Sequence, residues 1–182
     1  MAGRSYAVLG PNGSGKSTLL QVIASSLTPS KGSIRYISDG ETVDVDRVYR
    51  LTSIAAPYME LVEEFTLAEH VAFHFSFKTY RNGFDARKLI ELTGLQAAQD
   101  KPIRYFSSGM RQRVKLALAC CADTPILLLD EPTSNLDRAG VSWYLELVKA
   151  TQQDRLLIIC SNQEEEYQFC TESIQITDYK RS

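Results

Sequence analysis

Several features are missing from this chain of 182 residues. No run approaches the roughly 18 apolar residues that a membrane-spanning helix needs, so no segment is expected to cross a bilayer. No secretory leader precedes the first apolar run. An excess of charge is missing too. There are 20 Lys and Arg against 22 Asp and Glu, and the net charge of −2 gives no global basic signature for nucleic acid. The four cysteines, Cys120, Cys121, Cys160 and Cys170, lack metal-ligand spacing. They fall in apolar or helical stretches and read as reduced thiols of a cytosolic protein, with a vicinal Cys120–Cys121 disulfide as the other reading. Repeats, low-complexity tracts and long linkers are lacking as well. The chain is expected to form one globular domain, and at 44% hydrophobic and 23% charged it has the material for a full core.

What is present begins almost at once. Only Met1 to Arg4 precede a short apolar run, Ser5 to Leu9, which reads as a buried strand. Gly10, Pro11, Asn12, Gly13, Ser14, Gly15, Lys16, Ser17 and Thr18 then fit G-x-x-x-x-G-K-[ST], the phosphate-binding loop of nucleoside triphosphatases. The glycines permit a tight loop whose backbone N–H groups point inward at one anion. The loop feeds a helix near Lys16, carrying Leu19, Leu20, Val22 and Ile23 at helical spacing. That N-terminus adds unpaired N–H groups and the positive end of a dipole. Lys16 can reach the β- and γ-phosphates and the Ser17 hydroxyl can ligate Mg²⁺.

Further along, apolar runs alternate with helical patterns, as in a mostly parallel sheet wrapped by helices. Strands are predicted over Ser33 to Ile37, Thr42 to Val45 (joined by an Asp39-Gly40 turn), Thr52 to Ala56, Ile126 to Leu129, Leu156 to Cys160 and Ser173 to Thr177. Helices are predicted from Thr66 to Phe77, opened by the capping box Thr66-Leu67-Ala68-Glu69, and over Phe84 to Leu92. Three more are expected from Ser107 to Ala122, Ala139 to Thr151 and Glu164 to Phe169. His70 and His74, the only histidines, read as a structural pair on one helix face.

The strand Ile126 to Leu129 ends in Asp130 and Glu131. A carboxylate at the carboxyl end of a parallel strand faces the ligand crevice of an open α/β sheet. Asp130 is therefore placed to hold Mg²⁺ through a water or Ser17. Glu131 can orient a water in line with the γ-phosphate and accept its proton.

These residues resemble the nucleotide-binding domain of ABC-type ATPases. The resemblance is carried by the phosphate loop, by Leu128-Leu129-Asp130-Glu131-Pro132-Thr133-Ser134-Asn135-Leu136-Asp137, and by Tyr105-Phe106-Ser107-Ser108-Gly109-Met110-Arg111-Gln112-Arg113, similar to the family's signature motif. It spans Ser5 to about Thr177. It implies an α/β P-loop NTPase fold, a mostly parallel sheet flanked by helices with an ABC-type helical subdomain over roughly 57–122, the family's usual upstream strands being absent from residues 1–182. It also implies ATP and Mg²⁺ as cofactors. Ser107, Ser108 and Gly109, at a helix N-terminus, can form a second anion site, which in the family binds the γ-phosphate held by another subunit. The implied assembly is a head-to-tail dimer, homomeric or heteromeric, peripheral on the cytoplasmic face of the membrane and driving a separate integral permease. Its groove for the permease would lie near Tyr58 to Phe65, with Glu60, Glu63, Glu64 and Phe65 exposed. No direct nucleic-acid contact is expected.

Departures from the pattern matter equally. The family usually has a Gln after the strand near Ala55, where this chain has Tyr58, with Glu60 as another polar candidate. Where a His usually contacts the γ-phosphate, the chain has Asn162, which can hydrogen-bond a phosphate oxygen but cannot carry positive charge. The family stacks adenine on an aromatic residue from an upstream strand; Tyr6 lies inside the first strand and reads as core packing. The expected function is an ATP-hydrolysing transporter subunit, slow for want of the His, with Glu131, Lys16 and Asn162 in the reaction. Competing readings are a soluble ABC-type ATPase, a weakly hydrolysing regulatory module, and a phosphate-loop kinase; the signature helix and the acid pair before Pro132-Thr133 argue against the kinase.

Overall fold

The computed structural model describes residues 3–38 and 40–179. Strands β1 (Ser5–Leu9), β4 (Thr52–Ala55), β5 (Ile126–Asp130), β6 (Leu156–Cys160) and β7 (Glu172–Gln175) form one sheet in the order β4-β5-β6-β1-β7. Every adjacent pair is parallel, so all five carboxyl ends open on one edge. The central strands are continuous apolar runs because both faces are covered. Leu128, Ile158 and Val8 point to one side, against Leu20 of α1 (Lys16–Ile23). Leu127, Leu129, Leu157 and Ile159 point to the other, in a cluster with Val114 and Leu116 of α4 (Ser108–Cys121) and Leu147 and Val148 of α5 (Arg138–Thr151).

Helices α2 (Leu67–His74) and α3 (Ala86–Thr93) join the same cluster through Leu67, Val71, Leu89 and Ile90. The capping box on α2 is present: Glu69 N–H donates to Thr66 Oγ1 at 3.2 Å and Thr66 N–H donates to Glu69 Oε2 at 2.8 Å. The helix stops at His74, short of the predicted Phe77, where Ser76 Oγ donates to the Phe73 carbonyl at 2.7 Å and competes with the helical ladder. Helix α3 starts later than predicted, because Asp85 caps it by accepting from Lys88 N–H at 2.8 Å. A short α6 (Glu164–Tyr167) follows β6.

The hairpin strands are β2 (Tyr36–Ser38) and β3 (Glu41–Val43), antiparallel. Both differ from the predicted bounds. Tyr36 is anchored by donating its hydroxyl to the Val22 and Ile23 carbonyls at the end of α1, both at 3.0 Å, and Val45–Arg50 turn into a 3₁₀ helix instead of extending the second strand. Asp39 of the predicted turn lies outside the described residues. Strand β7 ends at Gln175, two residues before the predicted bound, and Ile176–Tyr179 form a 3₁₀ helix. The four cysteines are free thiols, three of them buried. Tyr6 departs from the expected core role: it is half-buried, and its hydroxyl accepts from Arg4 Nη1 at 3.4 Å.

One buried charge holds the fold from beneath. Arg155, at 0% exposure, donates from Nη1 to the Cys120 carbonyl at 3.2 Å and from Nη2 to the Ala122 carbonyl. These carbonyls end α4, where the ladder leaves acceptors unpaired and the dipole is negative. Burial lowers the guanidinium pKa to about 10. Arg155→Ala removes both donors and opens a void, so an unfolding free energy lower by about 3 kcal/mol is expected in urea titrations; Arg155→Met, which keeps the volume, should recover part of it.

A second expectation concerns pH. Burial, with the charges of Lys78 and His70, lowers the His74 pKa to about 4, and burial lowers that of His70 in the same direction. The unfolded chain binds these protons below about pH 6.5 while the folded chain does not. Their contribution is therefore complete above pH 6.5 and lost as the pH falls toward 4. The urea midpoint should drop between pH 7 and pH 5, with a shallower slope in His74→Gln.

Candidate functional site

The loop after β1 closes on itself. A Cβ on Gly10 would lie 2.7 Å from Ile176 Cγ2 and 2.9 Å from Ser14 Oγ, so only glycine admits this approach. Gly15 caps α1 with φ 99°, a left-handed backbone that suits glycine. Lys16 is buried, and its ammonium donates to the Gly10 carbonyl at 2.7 Å and the Pro11 carbonyl at 3.4 Å. Residues Asn12 to Thr18, together with Glu131, line a cavity of about 240 Å³. Ser14 is buried in the loop and its hydroxyl has no hydrogen-bond partner.

The neighbouring strand ends supply the acids. Asp130 at the end of β5 pairs with Cys160 at the end of β6. Glu131 N–H donates to the Cys160 carbonyl at 2.8 Å, and Glu131 takes φ 41°, a left-handed conformation that costs on the order of 1 kcal/mol in a non-glycine residue. Asp130 is 1% exposed and neither carboxylate oxygen has a hydrogen-bond partner. Burial raises its pKa, Glu131 adds to that, and the Ser17 hydroxyl and the Lys16 charge oppose it. Two orphaned carboxylate oxygens beside a hydroxyl and under a phosphate cradle fit a hard divalent cation. Among the described residues no group of three or more His, Cys, Asp or Glu side chains gathers round a point. A divalent cation there would be held by Ser17 and Asp130 and not by an all-protein cage.

Asn162, after β6, joins the same site. Its Nδ2 donates to Asn12 Oδ1 at 2.8 Å, and its Oδ1 accepts from Lys16 Nζ at 3.4 Å. Lys16, Ser17, Asp130, Glu131 and Asn162 are thus brought together. Ser107 and Ser108 are exposed and Gly109 half-buried at the N-terminus of α4, with Ser107 Oγ accepting from Met110 N–H at 3.2 Å. None of the three lines the phosphate-loop cavity.

Tyr58 and Glu60 separate. Burial, together with the Asp130 charge, pushes the Tyr58 phenol up to about 12, opposed by the Gln21 side chain. Glu60 lines another cavity, of about 390 Å³, with Glu63, Arg111 and Lys115. Glu63 is ion-paired with Arg111 at 2.8 Å. Phe65 was expected to be exposed; it is half-buried, edge-on to Phe73 at 5.5 Å.

Two residues escaped the sequence reading. Glu166 is fully buried, accepting from Thr133 N–H at 2.8 Å and from the Thr133 hydroxyl. Gln112, also buried, donates to the Pro132 carbonyl at 2.8 Å. They tie the turn after Glu131 to α6 and to α4. A Glu within Glu164-Glu165-Glu166 reads as solvated, and nothing local distinguishes it.

The fold and the site define a P-loop nucleotide-binding cassette. A family model described as ABC transporter matches residues 1–134, and the chain belongs to that family. It is 34% identical over 152 residues to the daunorubicin/doxorubicin resistance ATP-binding protein of Streptomyces peucetius, covering 82% of this chain and 46% of the relative. It is 34% identical over 158 residues to a putative ABC transporter ATP-binding protein of Methanopyrus kandleri, covering 84% and 58%. The chain spans about half the length of these curated relatives. Among solved structures, a dimeric post-hydrolysis ATP-binding cassette bound to ADP and Pi superposes with TM-score 0.80 at 22% identity, covering 97% of this chain and 83% of the other. A putative ABC transporter ATP-binding protein from Pyrococcus furiosus gives 0.78 at 22%, covering 99% and 88%. Among the described residues no helix is long and apolar enough to cross a membrane.

Burial raises the Asp130 pKa despite the Ser17 hydroxyl and the Lys16 charge, so its charged form is disfavoured in the ligand-free fold. Asp130→Asn is expected to raise the melting temperature of the nucleotide-free protein by a few degrees and to abolish the further rise that Mg-ATP gives the wild type, both read by differential scanning fluorimetry.

Proposed function

We propose that the chain binds and hydrolyses ATP as the nucleotide-binding subunit of an ABC transporter, on the cytoplasmic face of a membrane beside a separate permease. One observation carries the reading: Lys16, Asp130, Glu131 and Asn162 converge at the carboxyl ends of three adjacent parallel strands, β1, β5 and β6. The loop N–H groups and the α1 N-terminus cradle the phosphates, and Lys16 turns from its carbonyl partners to the β- and γ-phosphates. Ser17 and Asp130 hold Mg²⁺. Held by Ser17 and Asp130, the ion would supply positive charge against the phosphates. Glu131 orients the attacking water and takes its proton. Asn162 steadies the γ-phosphate by hydrogen bonding and brings no charge, so turnover is slow.

The exposed Ser107-Ser108-Gly109 segment supports a head-to-tail dimer, with a like or unlike second head, in which each signature segment closes the partner's phosphate loop. The helical segment over 57–122 forms the subdomain that presents it. The cavity bounded by Glu60, Glu63, Arg111 and Lys115 is the place for a permease segment. Asn162 favours a second reading, a regulatory module that binds ATP and scarcely hydrolyses it.

Glu131→Gln separates the two. A fall of about 10²- to 10⁴-fold in ATP turnover is expected, with the variant shifting from monomer to dimer in Mg-ATP by light scattering. Equal turnover in wild type and variant would rule out the base. Retained ATP binding without a dimer would favour the regulatory module.

A further inference from the structure

Glu131 and Asn162 leave neighbouring strands, β5 and β6, and their spacing decides whether both can serve one γ-phosphate. The two exits are bridged twice. The inner bridge is the hydrogen bond from Glu131 N–H to the Cys160 carbonyl at 2.8 Å. The outer bridge is Glu166. Thr133, two residues after Glu131, donates its N–H to Glu166 Oε1 at 2.8 Å and its hydroxyl to the same oxygen. Glu166 lies four residues after Asn162, in α6. It is fully buried and its backbone is itself held. Its carbonyl accepts from the hydroxyl of the buried Tyr144 of α5 at 2.9 Å, and its N–H donates to the Gln163 carbonyl at 3.0 Å.

The turn that Glu166 grips needs holding. Glu131 takes φ 41° and Asn135 φ 65°, so a left-handed residue stands at each end of it. Residues other than glycine keep that conformation only where the surroundings impose it. Glu166 on Thr133, and Gln112 donating to the Pro132 carbonyl at 2.8 Å, are side-chain partners for the two residues that follow Glu131. The other oxygen of Glu166, Oε2, is buried without a hydrogen-bond partner. A buried carboxylate with one oxygen unpaired is a poor source of stability. What the contact supplies is placement.

We propose that Glu166 is a positioning residue. By gripping Thr133 it sets the place of the Glu131 carboxylate relative to Asn162, and it acts on turnover only through Glu131. This rests on the reading of Glu131 as the base. A misplacement of about 1 Å in a reacting group can cost about 100-fold in rate. Nucleotide affinity lies elsewhere, in the phosphate loop, which leaves a different strand, β1. Loosening the grip of Glu166 therefore slows the chemical step and leaves ATP bound.

The test measures kcat and the Mg-ATP dissociation constant for Glu166→Ala, Glu166→Gln and Thr133→Val, each alone and combined with Glu131→Gln. Glu166→Ala should lower kcat about 10- to 100-fold with ATP affinity near the wild-type value. Glu166→Gln keeps an acceptor oxygen for both Thr133 donors and should stay closer to wild type. Thr133→Val loses only the hydroxyl; it should lower kcat without loss of affinity, and it carries the test if the alanine variant does not fold. In the Glu131→Gln background none of the three should lower turnover further, because groups that act through one another are not additive. Wild-type kcat in Glu166→Ala, or in Thr133→Val where the alanine variant does not fold, would overturn the inference and leave the contact purely structural. So would a further fall on top of Glu131→Gln, or a loss of ATP affinity that matches the loss of kcat. Wild-type turnover in Glu131→Gln alone is a different failure: the reading of Glu131 as the base then falls, and this inference with it.

Discussion

The site depends on one row of backbone pairing. Val8, Cys160 and Asp130 lie side by side across β1, β6 and β5. Adjacent strands are about 4.8 Å apart, so the chain after each leaves the sheet within about 10 Å of the others. One exit becomes the phosphate loop, one carries Asn162, and one carries Glu131. The hydrogen bond from Glu131 N–H to the Cys160 carbonyl at 2.8 Å locks two of the exits together. A slip of one residue in β5 would turn Asp130 to the opposite face of the sheet. The apolar runs of β5 and β6 prevent that slip, because each alternate leucine or isoleucine has a helix to pack on.

Polar groups buried around this row divide into two kinds. Arg155 and Glu166 have partners and hold elements together, Arg155 at the end of α4 and Glu166 at the turn after Glu131. Asp130 and Ser14 have no hydrogen-bond partner. A native interior seldom leaves such groups unpaired; Ser14 lines the phosphate-loop cavity and Asp130 ends β5, beside the Ser17 hydroxyl. The ligand-free protein thus keeps an electrostatic strain that a bound Mg-nucleotide would relieve.

Two departures from the family pattern touch this arrangement. Asn162 occupies its place with hydrogen bonds to Asn12 and Lys16 where an imidazole could have carried charge. Tyr58 stands close enough to Asp130 to feel its charge, and Glu60 faces a different cavity. At Asn162 hydrogen bonding is retained without the charge an imidazole could carry.

Much was legible in the sequence because it is encoded locally. The glycine spacing of the phosphate loop, the capping box at Thr66, and the apolar runs ending in Asp130 and at Cys160 each specify their own backbone. Element ends were less legible: Ser76, Asp85 and Tyr36 moved them through side-chain hydrogen bonds that propensity does not carry. Other facts belong to tertiary structure alone. That Glu166 is a buried acceptor, that Arg155 caps α4, that Tyr58 and not Glu60 feels the Asp130 charge, and that Ile176 closes on Gly10 all depend on chain segments far apart in sequence. The sequence determined which chemistry each loop carries, since loop conformation and side-chain type are local properties. The tertiary structure decided which of those loops meet, because strand order and register follow from long-range packing that no single segment contains.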